Sequence, residues 1–323
     1  MQWKIGCIAF CLVGAFLYAE DEGYWDLLTD FVYMQRYSDQ SQTLSFDASR
    51  CKNSCPKSAK LNTQSLVNGF GFEPGYHVAL SYVQDMHSLY EAGFLYVWDW
   101  SNTKTQESDS SSLIGPFHDR SFTQAFDGAL EMQAYYRSFF YTAELNYEKV
   151  FSDRRDSLLS LSGIGGFRFA NLSEKFSLTA IQDASFGEYD ISTKNDLIGI
   201  QIGFDFHINA TRNLHWDLMG KAGVGMNRMS AKAFLGDQSN TVELRHFNQQ
   251  NWKSNIFAEA SAGVGYQPLS RLDIHVGYGM LYFCGLALAP DQIDKSSNTT
   301  EFHMSRNGYV IVHGIYAGFS FSF

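Results

Sequence analysis

Alternation with a period of two runs through this chain for longer than ordinary strands require. In "HSLYEAGFLYVWDWS", Tyr90, Ala92, Phe94, Tyr96, Trp98 and Trp100 fall on one face, and Glu91, Gly93 and Asp99 on the other. In "DLIGIQIGFDFH", Ile198, Ile200, Ile202, Phe204 and Phe206 alternate with Gly199, Gln201, Gly203, Asp205 and His207. In "LHWDLMGKAGVGM", Leu214, Trp216, Leu218, Ala222 and Val224 alternate with Asp217, Lys221 and Gly223. A helix would bring apolar residues back at three and four, so these segments are strands. Ordinary strands run about 5–6 residues, whereas a tilted strand that crosses a bilayer needs roughly 9–11, which is the length seen here.

Such an apolar face needs lipid or a second sheet to cover it. The opposite face carries Glu144, Glu148, Arg168, Asp205, Lys221, Glu259 and Asp273. In a sandwich those charges would lie on the outer surfaces; in a barrel they line the lumen.

The first residues favour the barrel. "MQWKIGCIAFCLVGAFLYAEDE" has one cation at Lys4, an apolar run from Ile5 to about Leu17, and Ala19 before an acidic cluster. That is the layout of a secretory signal peptide, residues 1–19, with cleavage expected near Ala19 and a barrel over 20–323. Elsewhere no window resembles a transmembrane helix, yet aromatics make up 16% of the chain. The formal charge of −10, or −11 once Lys4 is removed, argues against a nucleic-acid partner, which needs a basic footprint.

The alternation places strands at about 24–37, 74–84, 89–101, 128–150, 157–181, 195–208, 213–233, 251–267, 270–286 and 307–323. Connections then alternate between long (38–73, 102–127, 182–194, 234–250, 287–306) and short (85–88, 151–156, 209–212, 268–269). Long outer loops, short periplasmic turns and an even strand count describe an all-β antiparallel up-and-down transmembrane barrel with both termini in the periplasm. Ten strands are expected. Twelve result if "TVELRHFN" pairs within its loop or the strand over 157–181 breaks near Asn171. In the closing "GIYAGFSFSF", Ile315, Ala317, Phe319, Phe321 and Phe323 share the lipid face. Gly318, Phe321 and Phe323 are similar to the terminal signal read by the bacterial outer-membrane assembly machinery, which with outer-membrane lipid is an expected partner.

"GYGMLYFCGLALAPDQID", Gly277 to Asp294, resembles a beta-barrel porin family best known from planctomycetes. Gly277, Tyr278, Leu281 and Tyr282 match that family's strand, and Asp291, Gln292, Ile293 and Asp294 its loop; Phe283 stands where the family has Trp, and the loop glycine is absent. "GFEPGYHVALSY" and "LSLSGIGGFRFANLSEKFSL" are similar to strands of the Legionella-type major outer membrane, pore-forming family. These resemblances span about residues 70–320 and imply an outer-membrane barrel with porin activity and no catalytic motif.

The charged residues of the inner face are therefore candidate pore-lining groups, with five acids against Arg168 and Lys221, a balance that favours cations. The same charges are also able to pair across a narrow interior, since about eight strands leave a lumen that side chains fill. Two Asp-x-His pairs, Asp205/His207 and Asp273/His275, put a carboxylate beside an imidazole, as a general base requires. Their place next to periplasmic turns points instead to polar pairs that satisfy each other. Cys51 and Cys55 in "RCKNSC" are disulfide candidates in an oxidising compartment, the alternative being a cross-link to another envelope protein. Their loop offers no histidine for a metal, and no cofactor is expected. Cys284 falls on the lipid side. Gly220, Ala222, Ala258, Ala260 and Ala262 form a smooth outward patch, read either as a contact between copies in a homo-oligomer or as plain lipid-facing surface. The runner-up to a narrow porin-like channel is a closed barrel acting as a structural or adhesive surface protein through its loops. A surface hydrolase would need an Asp/His pair at the outer rim.

Overall fold

The structure, a computed structural model, describes residues 23–39, 42–47, 59–85, 87–109, 111–117, 124–151, 158–183, 185–237, 242–296 and 302–323. The expected signal peptide, its cleavage point and Cys51 and Cys55 lie outside the described residues. In chain order the elements are β1 (Tyr24–Tyr37), β2 (Thr43–Asp47), β3 (Ala59–Asn62), α1 (Thr63–Val67), β4 (Phe72–Asp85), β5 (Ser88–Glu107), β6 (Leu113–Ile114) and β7 (Asp127–Ala129). They continue with β8 (Glu131–Val150), β9 (Leu159–Ile181), β10 (Phe186–Asn209), β11 (Leu214–Asp237), β12 (Val242–Leu269), β13 (Leu272–Leu286) and β14 (Gly308–Ser322).

Ten of these strands close a barrel in the order β1-β14-β13-β12-β11-β10-β9-β8-β5-β4. Closure is made by β1 and β14, antiparallel from Asp26↔Ser322 to Tyr37↔Ile311. Trp25 and Phe323 exchange backbone hydrogen bonds of 3.0 and 2.8 Å, so the C-terminal aromatic strand is held to the start of the first. Neither route to twelve strands is taken. Residues 242–248 extend β12 and pair with β11, and β9 runs unbroken through Asn171, which faces Asp196 of β10.

Two of the expected long outer connections are mostly strand. β10 begins at Phe186 and β12 at Val242, so β10, β11 and β12 reach 24, 24 and 28 residues. A crossing takes roughly 9–11 residues, so these strands extend well beyond the bilayer on the side away from the termini. The other outer connections fold over the barrel end. They supply a four-stranded sheet, β3-β2-β6-β7, and helix α1. Leu44, Leu61, Leu66, Phe70, Leu113 and Phe126 from these connections are buried in one apolar cluster with the strand residues beneath them.

The two faces separate as the alternation requires: Ile202 is 75% exposed on the lipid side, while Val97 is fully buried inside. Trp100 reverses the face expected of it. A register shift between Val97 and Trp100 in the β5–β8 pairing inserts an extra residue, leaving Trp98 outside but turning Trp100 inward, where its Nε1 donates to the Met34 carbonyl at 3.0 Å. Asp99, expected on the inner face, instead pairs outside with Arg137. The smooth patch lies across β11 and β12, with Gly220 opposite Ala260 and Ala222 opposite Ala258. Cys284 is a free, half-buried cysteine near the outer end of β13.

Candidate functional site

At mid-height the charged residues of the inner face meet. Glu144 on β8 faces Arg168 on β9, and Lys221 on β11 faces Glu259 on β12, each pair in direct register. Arg168 Nη2 donates to Glu144 Oε2 at 2.7 Å and reaches across the lumen to Glu259. Lys221 Nζ donates to Glu144 Oε1 at 2.8 Å and lies 3.5 Å from Glu259. Gln201 fills the gaps, accepting from Arg168 Nε at 2.9 Å and donating to Glu144 at 2.8 Å and to Asn146 at 2.7 Å. Asn146 in turn donates to Glu91 at 3.1 Å. Removing such charges from water costs several kcal/mol per ion, offset only when every partner is present. Six strands, β5 and β8 to β12, are thus tied by one knot across the lumen.

Above the knot the interior is dry. Leu95, Val97, Phe140, Leu172, Phe257 and Phe283 fill it from the strands. Higher still, Arg36 of β1 pairs with Glu174 of β9, both side chains fully buried. Tyr136 joins them, accepting from Arg36 at 2.8 Å and donating to Glu174 at 2.9 Å. The connection after β13 turns into this space. Ala289 N donates to Glu174 Oε2 at 2.8 Å, Asn195 Nδ2 donates to the Ala287 carbonyl at 2.9 Å, and Asn227 Nδ2 to the Gly285 carbonyl at 3.0 Å. Gln292, itself buried, donates to the Leu288 and Ser305 carbonyls at 3.0 and 2.9 Å, joining the two arms of the loop.

Below the knot a cavity of about 1380 Å³ opens at the end where the chain termini and short turns lie. Nine carboxylates but only four cationic side chains line it. Glu148, Asp205 and Asp273 of the expected set stand here, whereas Glu144, Arg168, Lys221 and Glu259 form its ceiling. The histidines of the two Asp-x-His pairs also reach carboxylates on other strands. His207 Nδ1 lies 2.7 Å from Asp217, and His275 stands between two carboxylates, with Nε2 2.5 Å from Asp30 and Nδ1 3.6 Å from Asp273. Asp30 also meets His77 at 3.0 Å. Gly318 makes this possible, because a Cβ there would stand 2.3 Å from Asp30 Oδ1. Both pairs sit at the periplasmic end, away from the outer rim that surface hydrolysis would use.

Sequence reasoning did not single out Asp30, His77, Glu91, Asn146, Gln201, His215 and Asp217. Glu91, Gln201 and Asp217 fall on the polar parity of their strands, which was the available signal. Their partners lie on strands distant in sequence, which parity does not reveal.

The family described as putative beta barrel porin-7 matches residues 100–312. The chain belongs to this family. This agrees with the resemblance carried by Gly277 to Asp294, and it makes the molecule an outer-membrane β-barrel of porin type. No curated protein sequence matches the chain. Among solved structures, the outer membrane protease OmpT from Escherichia coli overlaps with 10% identity, 93% of this chain, 97% of that chain and a TM-score of 0.49. The toluene transporter TbuX of Ralstonia pickettii overlaps with 9% identity, 94% and 90% coverage and a TM-score of 0.32. The outer membrane protein OprG of Pseudomonas aeruginosa overlaps with 8% identity, 94% and 97% coverage and a TM-score of 0.25. At such identities and overlaps these likenesses carry no functional argument. Within the porin-7 match lie the knot residues Glu144, Arg168, Lys221 and Glu259 and the inward loop.

Proposed function

We propose that this porin-7 barrel is a narrow, weakly cation-preferring channel for passive diffusion of small solutes or ions, described here in a shut conformation. The observation that carries the reading is the loop after β13. It folds into the lumen and is fastened there by Glu174 and Asn195, as expected of a segment that constricts a pore. An adhesive loop would point away. The acidic vestibule supports cation preference, since nine carboxylates against four cations attract positive solutes to the ceiling. Glu144, Arg168, Lys221 and Glu259 would form the charged constriction and Glu148, Asp205 and Asp273 its approach. Nothing in the reading calls for catalysis.

A second reading, a closed barrel serving as a structural or adhesive surface protein, is favoured by one feature. Trp100, Phe140 and Phe283 belong to strands and cannot leave with a loop. Planar-bilayer recording of refolded residues 20–323 under a salt gradient separates the two. Rare discrete openings are expected, becoming more frequent in Gln292→Ala, with reversal potentials moving toward anions when Glu144→Gln and Glu259→Gln are combined. Silence in every folded variant would establish the closed barrel.

A further inference from the structure

We propose that the vestibule holds a binding site for a divalent transition-metal ion of the zinc type, built from His207, His215 and Asp217 with Asp273 as fourth ligand. The site does not depend on whether the barrel conducts.

The first three residues stand at the base of one hairpin. His207 is near the end of β10, and His215 and Asp217 are at the start of β11, with His207 and Asp217 in direct register. The turn between the strands is closed by Ala210 N and Thr211 N, which donate to the Leu214 carbonyl at 2.9 and 3.1 Å. The ligand geometry is therefore set by backbone pairing rather than by a loop. One donor atom from each of the three lies within 4.8 Å of the others. His215 Nε2 is 3.2 Å from Asp217 Oδ2 and 3.7 Å from Asp273 Oδ2. Zinc with ligands at about 2.0–2.1 Å in a tetrahedron requires donors roughly 3.3 Å apart, and these separations bracket that value.

Tautomer chemistry points the same way. His207 Nε2 lies 3.1 Å from the Asn209 carboxamide oxygen. When Nε2 carries the proton and donates it there, Nδ1 presents a lone pair to the Asp217 carboxylate 2.7 Å away. A metal ion would take the place of the proton on the Nδ1 side, and a metal-ligating histidine is commonly oriented by such a bond from its other nitrogen. Asp273 adds an Oδ1 that is buried and without a hydrogen-bond partner. Two imidazoles with carboxylates suit zinc-like ions over calcium or magnesium, which take oxygen ligands. The vestibule gives an ion a path from the periplasm. Gly265, opposite His215 on β12, keeps the ring's place open, since a Cβ there would stand 2.1 Å from His215 Nε2.

The test is a zinc titration by calorimetry of the refolded, tag-free barrel after chelator treatment, paired with the visible spectrum of the cobalt(II) form. One ion per chain and an intense tetrahedral cobalt band are expected. Both are lost in His215→Ala and Asp217→Asn and kept in His87→Ala. Gly265→Ala, which removes no ligand, weakens binding at least about tenfold by displacing the His215 ring. Heat-dependent gel mobility identifies folded protein for each variant. Absence of saturable zinc binding in the folded wild type overturns the site, and so does binding unchanged in His215→Ala and Asp217→Asn. In either case the cluster is a ladder of protonated imidazoles and carboxylates.

Discussion

The two halves of the lumen are built on opposite principles. Toward the periplasm the inner face is wet and acidic, with side chains that share partners around a large cavity. Toward the outside it is packed like the core of a soluble protein, with the Arg36–Glu174 ion pair sealed inside it. The same alternating strands supply both. What differs is which residues occupy the inner parity, and that an outer loop comes in to complete the dry half. One barrel thus holds a solvent-filled basin and a stopper, divided at the level of Glu144 and Arg168.

Substitutions that treat the halves differently test this division. The largest effect is expected from Glu174→Ala, which leaves Arg36 buried without its partner and should cost about 3–5 kcal/mol, measured as a fall in the denaturant midpoint in detergent. Leu172→Ala, in the same dry half, should cost about 2–5 kcal/mol, whereas Ser320→Ala in the basin should stay within about 0.5 kcal/mol. Equal costs in the two halves would erase the distinction.

A smaller effect, dependent on pH, is expected at Asp291 in the inward loop. Burial and then the neighbouring Glu174 push its carboxyl up to about 6, against the pull of Arg36. An unfolded aspartate titrates near about 3.9. The folded state binds this proton more tightly, so its stabilising contribution is whole below about pH 4 and is lost as pH rises through about 6. Asp291→Asn should therefore raise the midpoint at pH 7.5 and leave it nearly unchanged at pH 3.5. The smallest effect is expected from Ala260→Trp on the lipid face, within about 0.5 kcal/mol of wild-type stability. If the smooth patch joins two copies, light scattering of the refolded protein will show that variant as a smaller assembly. An unchanged size leaves the patch as lipid-facing surface.

Much of the barrel was legible in the sequence because lipid imposes a strict code: every second residue must be apolar for the length of a crossing. Ile198 to Phe204 and Ile315 to Phe323 carry that code without interruption. It failed at Trp100, where one extra residue reverses the faces and leaves no trace in composition. It also stopped short at the outer ends, where β10 and β12 continue past the lipid and the apolar constraint no longer applies. In the lumen, parity placed Glu144, Arg168, Lys221 and Glu259 on the inner face. It could not show that they bond to one another, because that depends on the register of five strands at once. The stopper was least legible, since Gln292 and Ala289 act through backbone contacts set by residues more than a hundred positions away as well as nearby.

The Arg36–Glu174–Ala289 junction bears on the order in which the molecule is made. Arg36 and Glu174 are 138 positions apart, and Ala289 is a further 115 along the chain. No local segment of a growing chain contains all three, so this junction waits until the last hairpin has arrived. On this ordering, sealing of the outer half follows the assembly of the strands rather than accompanying it.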